Sequence, residues 1–122
     1  MAARVSTSFG ERAYSPYDLA DKKSCRPDFL VLVYPAYLDD KNGHVSPDLN
    51  LRAKIPPTLI IHSEDDQTYV PGSKLYDAAL TAAKVPHEFK LYQTGGHGYG
   101  LRGTREAKAW PDYALTWLRR LR

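Results

Sequence analysis

Two short polar clusters in this sequence carry residue types that can move protons. One is His62-Ser63-Glu64-Asp65-Asp66 and the other is Gly95-Gly96-His97-Gly98. Each directly follows a β-rich run, and in open parallel sheets ligands gather at the carboxyl ends of the strands. Neighbouring strands place two such clusters side by side. A carboxylate next to a histidine is the orienting half of a nucleophilic triad: it fixes the imidazole tautomer and stabilises the imidazolium formed when a nucleophile gives up its proton. Glycines around His97 permit positive φ and close approach of a substrate. On spacing alone, however, His97 also reads as an exposed loop residue, and Asp65-Asp66 as a helix-entry loop that binds nothing. His62, at the end of an apolar run, reads as a structural hydrogen-bonding residue. A metal site built from His62, Asp65, Asp66 and His97 matches no recurrent zinc spacing, and neither a metal nor an organic cofactor is expected.

The remaining reactive side chains lack the company that chemistry requires. Ser6, Ser8, Ser15, Ser24, Ser46, Ser63 and Ser73 are the serines, and none lies in a strand–turn–helix elbow. Cys25 has Lys22, Lys23 and Arg26 close by but no histidine near it in sequence, which is weak support for a catalytic thiol. Gly98-Tyr99-Gly100-Leu101-Arg102-Gly103 fits Gly-x-Gly-x-x-Gly, but no helix and strand with an acidic residue about twenty positions on can follow it, so it is not a dinucleotide site. Tyr34, Tyr37, Tyr69 and Tyr99 read equally as pocket lining and as packing.

The elements that must position these clusters are legible as hydrophobic patterns. Phe29-Leu30-Val31-Leu32-Val33-Tyr34 is a short continuous apolar run next to prolines, the mark of a strand buried on both faces of a parallel sheet. Thr58-Leu59-Ile60-Ile61-His62 repeats the pattern after Pro56-Pro57. His87-Glu88-Phe89-Lys90-Leu91-Tyr92 alternates and is expected at an edge. Between the second and third runs, Leu75, Tyr76, Ala79, Leu80 and Ala83 share one helix face, with Ser73 as N-cap and Pro86 as the stop. A last helix starts near Trp110 with Pro111 in its first turn. Its apolar stripe is Trp110, Tyr113, Ala114, Trp117, Leu118 and Leu121, and Arg119, Arg120 and Arg122 suit the negative end of its dipole. Met1 to Phe9 is mildly helical, and Gly10 to Asp28 reads as loop with a helical turn at Pro16 to Ala20. Strands joined by helices imply right-handed crossovers and a parallel sheet. Nothing in the sequence covers the outer side of the first strand, and an unpaired apolar edge promotes association.

Composition bounds the rest. The chain has 122 residues, 43% hydrophobic and 25% charged, values ordinary for one small globular domain. With 17 Lys+Arg against 14 Asp+Glu, the net charge of +3 is too small and too scattered to indicate nucleic acid. No apolar run reaches the roughly 18 residues of a membrane span. A single cysteine excludes an internal disulfide framework. Met1 to Ser6 has no apolar signal-peptide core, and localisation is left unassigned.

The order of these motifs resembles the C-terminal half of an α/β-hydrolase esterase/lipase, in the group of acetyl xylan esterases and dienelactone-hydrolase-like enzymes. The matching stretches are Arg26 to Tyr37, Pro57 to Asp66, Lys84-Val85-Pro86-His87-Glu88 and Gly95 to Leu101. The resemblance implies Asp66 as triad acid, His97 as triad base, and Asp65 as the acid if the loop is shifted by one residue. The order acid-then-histidine matches the Ser…Asp…His order of that fold. The Gly-x-Ser-x-Gly elbow and the oxyanion loop are absent from these 122 residues, and the chain is expected to correspond to the part that follows the serine. The expected fold is therefore α/β: three parallel strands with flanking helices, a single partial α/β-hydrolase domain over residues 1–122. The implied parent activity is carboxylic ester hydrolysis, with acetyl groups on sugars or small acyl esters as substrates. The chain alone is expected to be inactive, and the alternatives are a noncatalytic dimerising module or a split esterase completed by another chain. The expected partners are the ester substrate and, at the open strand edge, a second copy or the missing N-terminal half. Neither nucleic acid nor a membrane is expected.

Overall fold

A computed structural model describes residues 1–121. The order is α1 (Ala2–Ser8), a 3-10 turn (Ala20–Lys22), β1 (Leu30–Val33), β2 (Thr58–Ser63), α2 (Val70–Ala82), β3 (His87–Tyr92), a second 3-10 turn (Glu106–Ala109) and α3 (Trp110–Arg120). The three strands form one parallel sheet in the order β1-β2-β3. Leu30 pairs with Thr58, Thr58 with His87, and Ser63 with Tyr92. The expected α/β class and three-strand parallel sheet are both present.

Strand alternation divides the core into two clusters, one on each face of the sheet. Leu30, Leu32 and Ile60 face Ala3 of α1 and Tyr76 and Leu80 of α2. Leu59, Ile61 and Tyr92 face Ala107, Ala114 and Trp117 on the α3 side. The long connection from β1 to β2 has no helix. It is tied down by Leu38, Leu49 and Ile55, which join the α2-side cluster, and by an isolated bridge between Asp39 and Val45. No described helix is long and apolar enough to cross a membrane.

Several expectations need correction. The strand buried on both faces is β2, whose six residues are all buried; β1 alternates between buried and half-buried, and Phe29 lies outside it and exposed. β1 is an edge and β2 the centre, and an apolar run alone does not distinguish the two. Helix α2 begins at Val70, with Tyr69 as N-cap and Pro71 in the first turn, so Ser73 is not the cap. Its buried face runs through Val70, Ser73, Tyr76 and Leu80, while Ala83 is exposed, because the polar Ser73 is turned inward. The helix ends in a left-handed residue, Lys84 at φ 57°, with Val85 N–H bonded to Leu80 O and Lys84 N–H to Thr81 O. The first helical turn after Gly10 is at Ala20–Lys22 rather than Pro16 to Ala20. In α3, Ala114 and Trp117 are buried as expected, but Leu121 lies just past the helix and is exposed; Arg122 lies outside the described residues.

Candidate active site

The site sits where β2 and β3 end. Central β2 delivers His62 and Ser63, and the chain then turns at Asp66 before entering α2. The turn is closed by Tyr69 N–H and Val70 N–H, both donating to Asp66 O. Parallel pairing of His62 with Leu91 and of Ser63 with Tyr92 brings the loop after β3 alongside, so His97 reaches Asp66 across 31 residues of sequence.

Asp66 Oδ2 is the centre of the arrangement. His97 Nδ1 lies 2.7 Å from it and His62 Nε2 lies 2.8 Å from it. One carboxylate oxygen accepts from both, so each ring carries its proton on the nitrogen facing Asp66. His97 then presents Nε2 as its unprotonated nitrogen, the tautomer a general base requires. The His97 side chain is 38% exposed while Asp66 is 5% exposed and His62 fully buried. Burial works to raise the Asp66 pKa, but hydrogen bonds from His62 and His97, and their charge, outweigh it and hold the carboxyl below its ordinary value. Burial lowers the His62 pKa, and Asp66 opposes this without reversing it, so His62 is neutral near pH 7.

Asp65 points elsewhere. Its oxygens accept Gly95 N–H at 3.1 Å and Gly96 N–H at 2.8 Å, and Arg105 Nη1 lies 3.2 Å away. Asp65 clamps the loop that carries His97, and it is Asp66 that meets the imidazole. Gly95 is needed for this close approach, since a Cβ there would lie 2.3 Å from Ser63 Oγ and 2.5 Å from Ala107 Cβ.

Two tyrosines pack against the His97 ring. The Tyr69 and Tyr34 ring centroids lie 4.8 Å and 5.1 Å from the imidazole, and Tyr37 packs edge-on against Tyr69 at 5.5 Å. Tyr34 (φ 41°) and Tyr37 (φ 60°) both occupy the left-handed region, which costs a non-glycine residue about 1–2 kcal/mol. Such strain gathers where a side chain must be aimed. Tyr99 packs edge-on against Tyr34 at 4.7 Å, and burial pushes its hydroxyl up to about 12, so it serves as neutral wall.

His62, Asp66 and His97 also form the one group among the described residues whose ligand-type atoms cluster, all lying within 4.8 Å of one another. The nitrogen-to-oxygen separations of 2.7 and 2.8 Å are hydrogen-bond lengths. Ligands spaced tetrahedrally around zinc stand about 3.4 Å apart. The cluster is thus closed on itself by protons. Ser63 lies under the Gly95 loop, and Cys25 lies exposed with its thiol 3.4 Å from Phe9 O, away from the site.

This arrangement of sheet and loops is found in solved structures. An acetyl ester-xyloside bifunctional hydrolase from Caldicellulosiruptor lactoaceticus superposes with a TM-score of 0.81 at 28% identity, over 98% of this chain and 52% of that one. An alpha/beta hydrolase enzyme from a Medee basin deep-sea metagenome library gives 0.63 at 22% identity, over 98% and 50%. The fold is that of part of an α/β-hydrolase. A carboxylesterase from Lactobacillus plantarum WCFS1 also matches, with a TM-score of 0.63 at 20% identity over 80% of this chain and 46% of that one. This chain spans about half the length of the α/β-hydrolase structures it matches. No family model matches it, and no curated protein does.

His62 makes the structural hydrogen bonds its position suggests, but its partner Ser73 is not evident from the sequence. His62 Nδ1 lies 2.7 Å from Ser73 Oγ, and both residues are fully buried. Pro71 was the available signal: proline favours the first turn of a helix, which moves the start of α2 upstream and turns Ser73 inward.

Proposed function

We propose that residues 1–122 form the acid- and base-bearing part of a carboxylic ester hydrolase that works through an acyl-enzyme. The observation that carries this is the 2.7 Å contact between His97 Nδ1 and the buried Asp66 carboxylate, which leaves Nε2 as the basic nitrogen on an exposed edge. In this reading a serine hydroxyl from residues outside these 122 gives its proton to His97 Nε2 as its oxygen attacks the ester carbonyl. Asp66 stabilises the imidazolium. His97 returns the proton to the departing alkoxide, and a water deprotonated in the same way releases the acid and regenerates the serine. The donors that bind the oxyanion likewise come from outside. Triad residues act as a unit, so the chain alone is expected to be inactive. Acetyl esters of sugars, or small acyl esters, are the proposed substrates. The acetyl ester-xyloside activity named for the Caldicellulosiruptor protein supports this choice.

The test joins this chain to the half of the Caldicellulosiruptor hydrolase that it does not match and measures hydrolysis of 4-nitrophenyl acetate. Hydrolysis that disappears on His97→Ala supports the reading. A joined protein that folds but turns over no faster than its His97→Ala variant overturns it.

The free edge of β1 favours a second reading, in which that edge is a pairing surface. Leu30 N–H and Tyr34 N–H donate to Pro57 O and Ile61 O of the neighbouring strand segment. By alternation the peptide groups of Val31 and Val33 point the other way. Among the described residues no strand covers them. We propose that a strand from a second copy, or from the remainder of the fold, pairs there.

A further inference from the structure

His62 is fully buried, and the triad reading gives it no task. Its ring bridges two elements. Ser73 Oγ, on the inward face of α2, lies 2.7 Å from Nδ1, and Asp66 Oδ2 lies 2.8 Å from Nε2. With His62 neutral, the donors and acceptors resolve in one way: Ser73 O–H donates to His62 Nδ1, His62 Nε2–H donates to Asp66 Oδ2, and His97 Nδ1–H donates to the same oxygen. Asp66 has little else to hold it. Among the described residues its other oxygen meets only Tyr69 N–H, at 3.4 Å. His62 is therefore the one short contact that fixes the carboxylate independently of His97.

We propose that His62 is a positioning residue for His97. Ser73 selects the His62 tautomer, His62 pins Asp66 Oδ2, and the pinned oxygen holds His97 with its proton on Nδ1 and Nε2 free. A carboxylate held by His97 alone can swing with it, and the imidazole can then exchange between tautomers. Groups that act through a ligand or base in this manner set its orientation and its tautomer. The functional sense of this relay rests on the proposed ester-hydrolase role of His97, but its physical content does not, because the tautomer of His97 can be read without turnover.

The experiment records imidazole nitrogen chemical shifts and N–H proton signals of the purified chain at neutral pH. In the unaltered chain His97 should show a slowly exchanging Nδ1–H signal and the Nδ1-protonated tautomer. His62→Gln can still donate from its amide to Asp66 and should retain that signal. His62→Phe fills the space but donates nothing, so the His97 Nδ1–H signal should be lost to exchange and the two tautomers should average. Ser73→Ala serves if His62→Phe fails to fold: it leaves the ring in place, and both histidines should then show mixed tautomers. A folded His62→Phe or Ser73→Ala variant with unaltered His97 signals overturns the proposal, as does an unaltered chain in which His97 has no protected Nδ1–H. Failure of the joined protein to hydrolyse acetyl esters, with the imidazole signals behaving as expected, counts against the catalytic reading alone.

Discussion

Replacing Gly95 by alanine should displace the His97 loop, and the size of the displacement follows from the packing. A Cβ at Gly95 would lie 2.5 Å from Ala107 Cβ and 2.3 Å from Ser63 Oγ. Carbon atoms rest about 3.5–4.0 Å apart, so the gap must widen by about 1 Å. The Ser63 hydroxyl could rotate, but Ser63 Cβ is itself 3.3 Å away, and Ala107 is buried with its N–H bonded to Thr94 O. The loop is what must yield. Carried to His97, a 1 Å shift lengthens the 2.7 Å contact with Asp66 to about 3.7 Å, beyond hydrogen-bond range. Overpacking of this kind costs about 1–3 kcal/mol. With a urea slope of about 1.5 kcal/mol per molar, the unfolding midpoint should fall by about 0.7–2 M. Gly10→Ala is the control, since nothing lies within 4 Å of its Cβ; its effect should stay within about 0.5 kcal/mol. Urea titrations give the stability and imidazole spectra give the position of His97. A Gly95→Ala chain with an unchanged midpoint and unchanged His97 signals would refute the close-packing account.

Other perturbations reach different parts of the structure. His62 is held below its ordinary 6.5 by burial, so just below pH 6.5 the unfolded chain binds a proton that the folded chain refuses; stability should fall as pH falls through that window, and His62→Gln should abolish the fall in pH-dependent urea midpoints. Asp66 is held below 3.8, since the two histidines outweigh its burial. Its contribution is complete above 3.8 and is lost as pH drops through the folded value, a limb that Asp66→Asn should remove. Asp65→Asn weakens the clamp on Gly95 and Gly96, and amide exchange at those two positions should speed up about tenfold, for about 1.4 kcal/mol of loop opening, with exchange in β2 unchanged. Val33→Pro removes an N–H that faces away from β2, so it should spare the sheet while lowering any self-association seen by sedimentation; undiminished association would remove the β1 edge as the pairing surface.

Sequence patterns revealed the elements better than their neighbours in space. The two proline-bounded apolar runs and the Trp110-Pro111 start are local signals, and β1, β2 and α3 lie where those signals fall. The apolar runs of β1 and β2 both read as strands buried on two faces, which holds for β2 alone; pairing, which makes β1 an edge, is non-local. Ser73 resembles a cap in sequence because serine favours caps. Its partner, His62, stands 11 residues away, and only the β2-to-α2 packing brings them together. The choice between Asp65 and Asp66 was open for a similar reason. Adjacent carboxylates are equivalent in sequence, but the turn after Ser63 aims one at two imidazoles and the other at two backbone amides.

The alternation along β2 has a consequence for the order of events in folding. Ile60 and His62 face α2, while Ile61 and Ser63 face the other layer. A one-residue slip of β2 exchanges the faces, so His62 would meet the Ala107 side and Ser63 would meet Ser73. A collapsed chain in a slipped register could therefore bury as much oil-like surface as the native one and still hold no histidine at Asp66. Asp66 and its two imidazoles act as a checksum on strand alignment. The imidazole signals of His62 and His97 should emerge during refolding no earlier than the final locking of β2 between its neighbours.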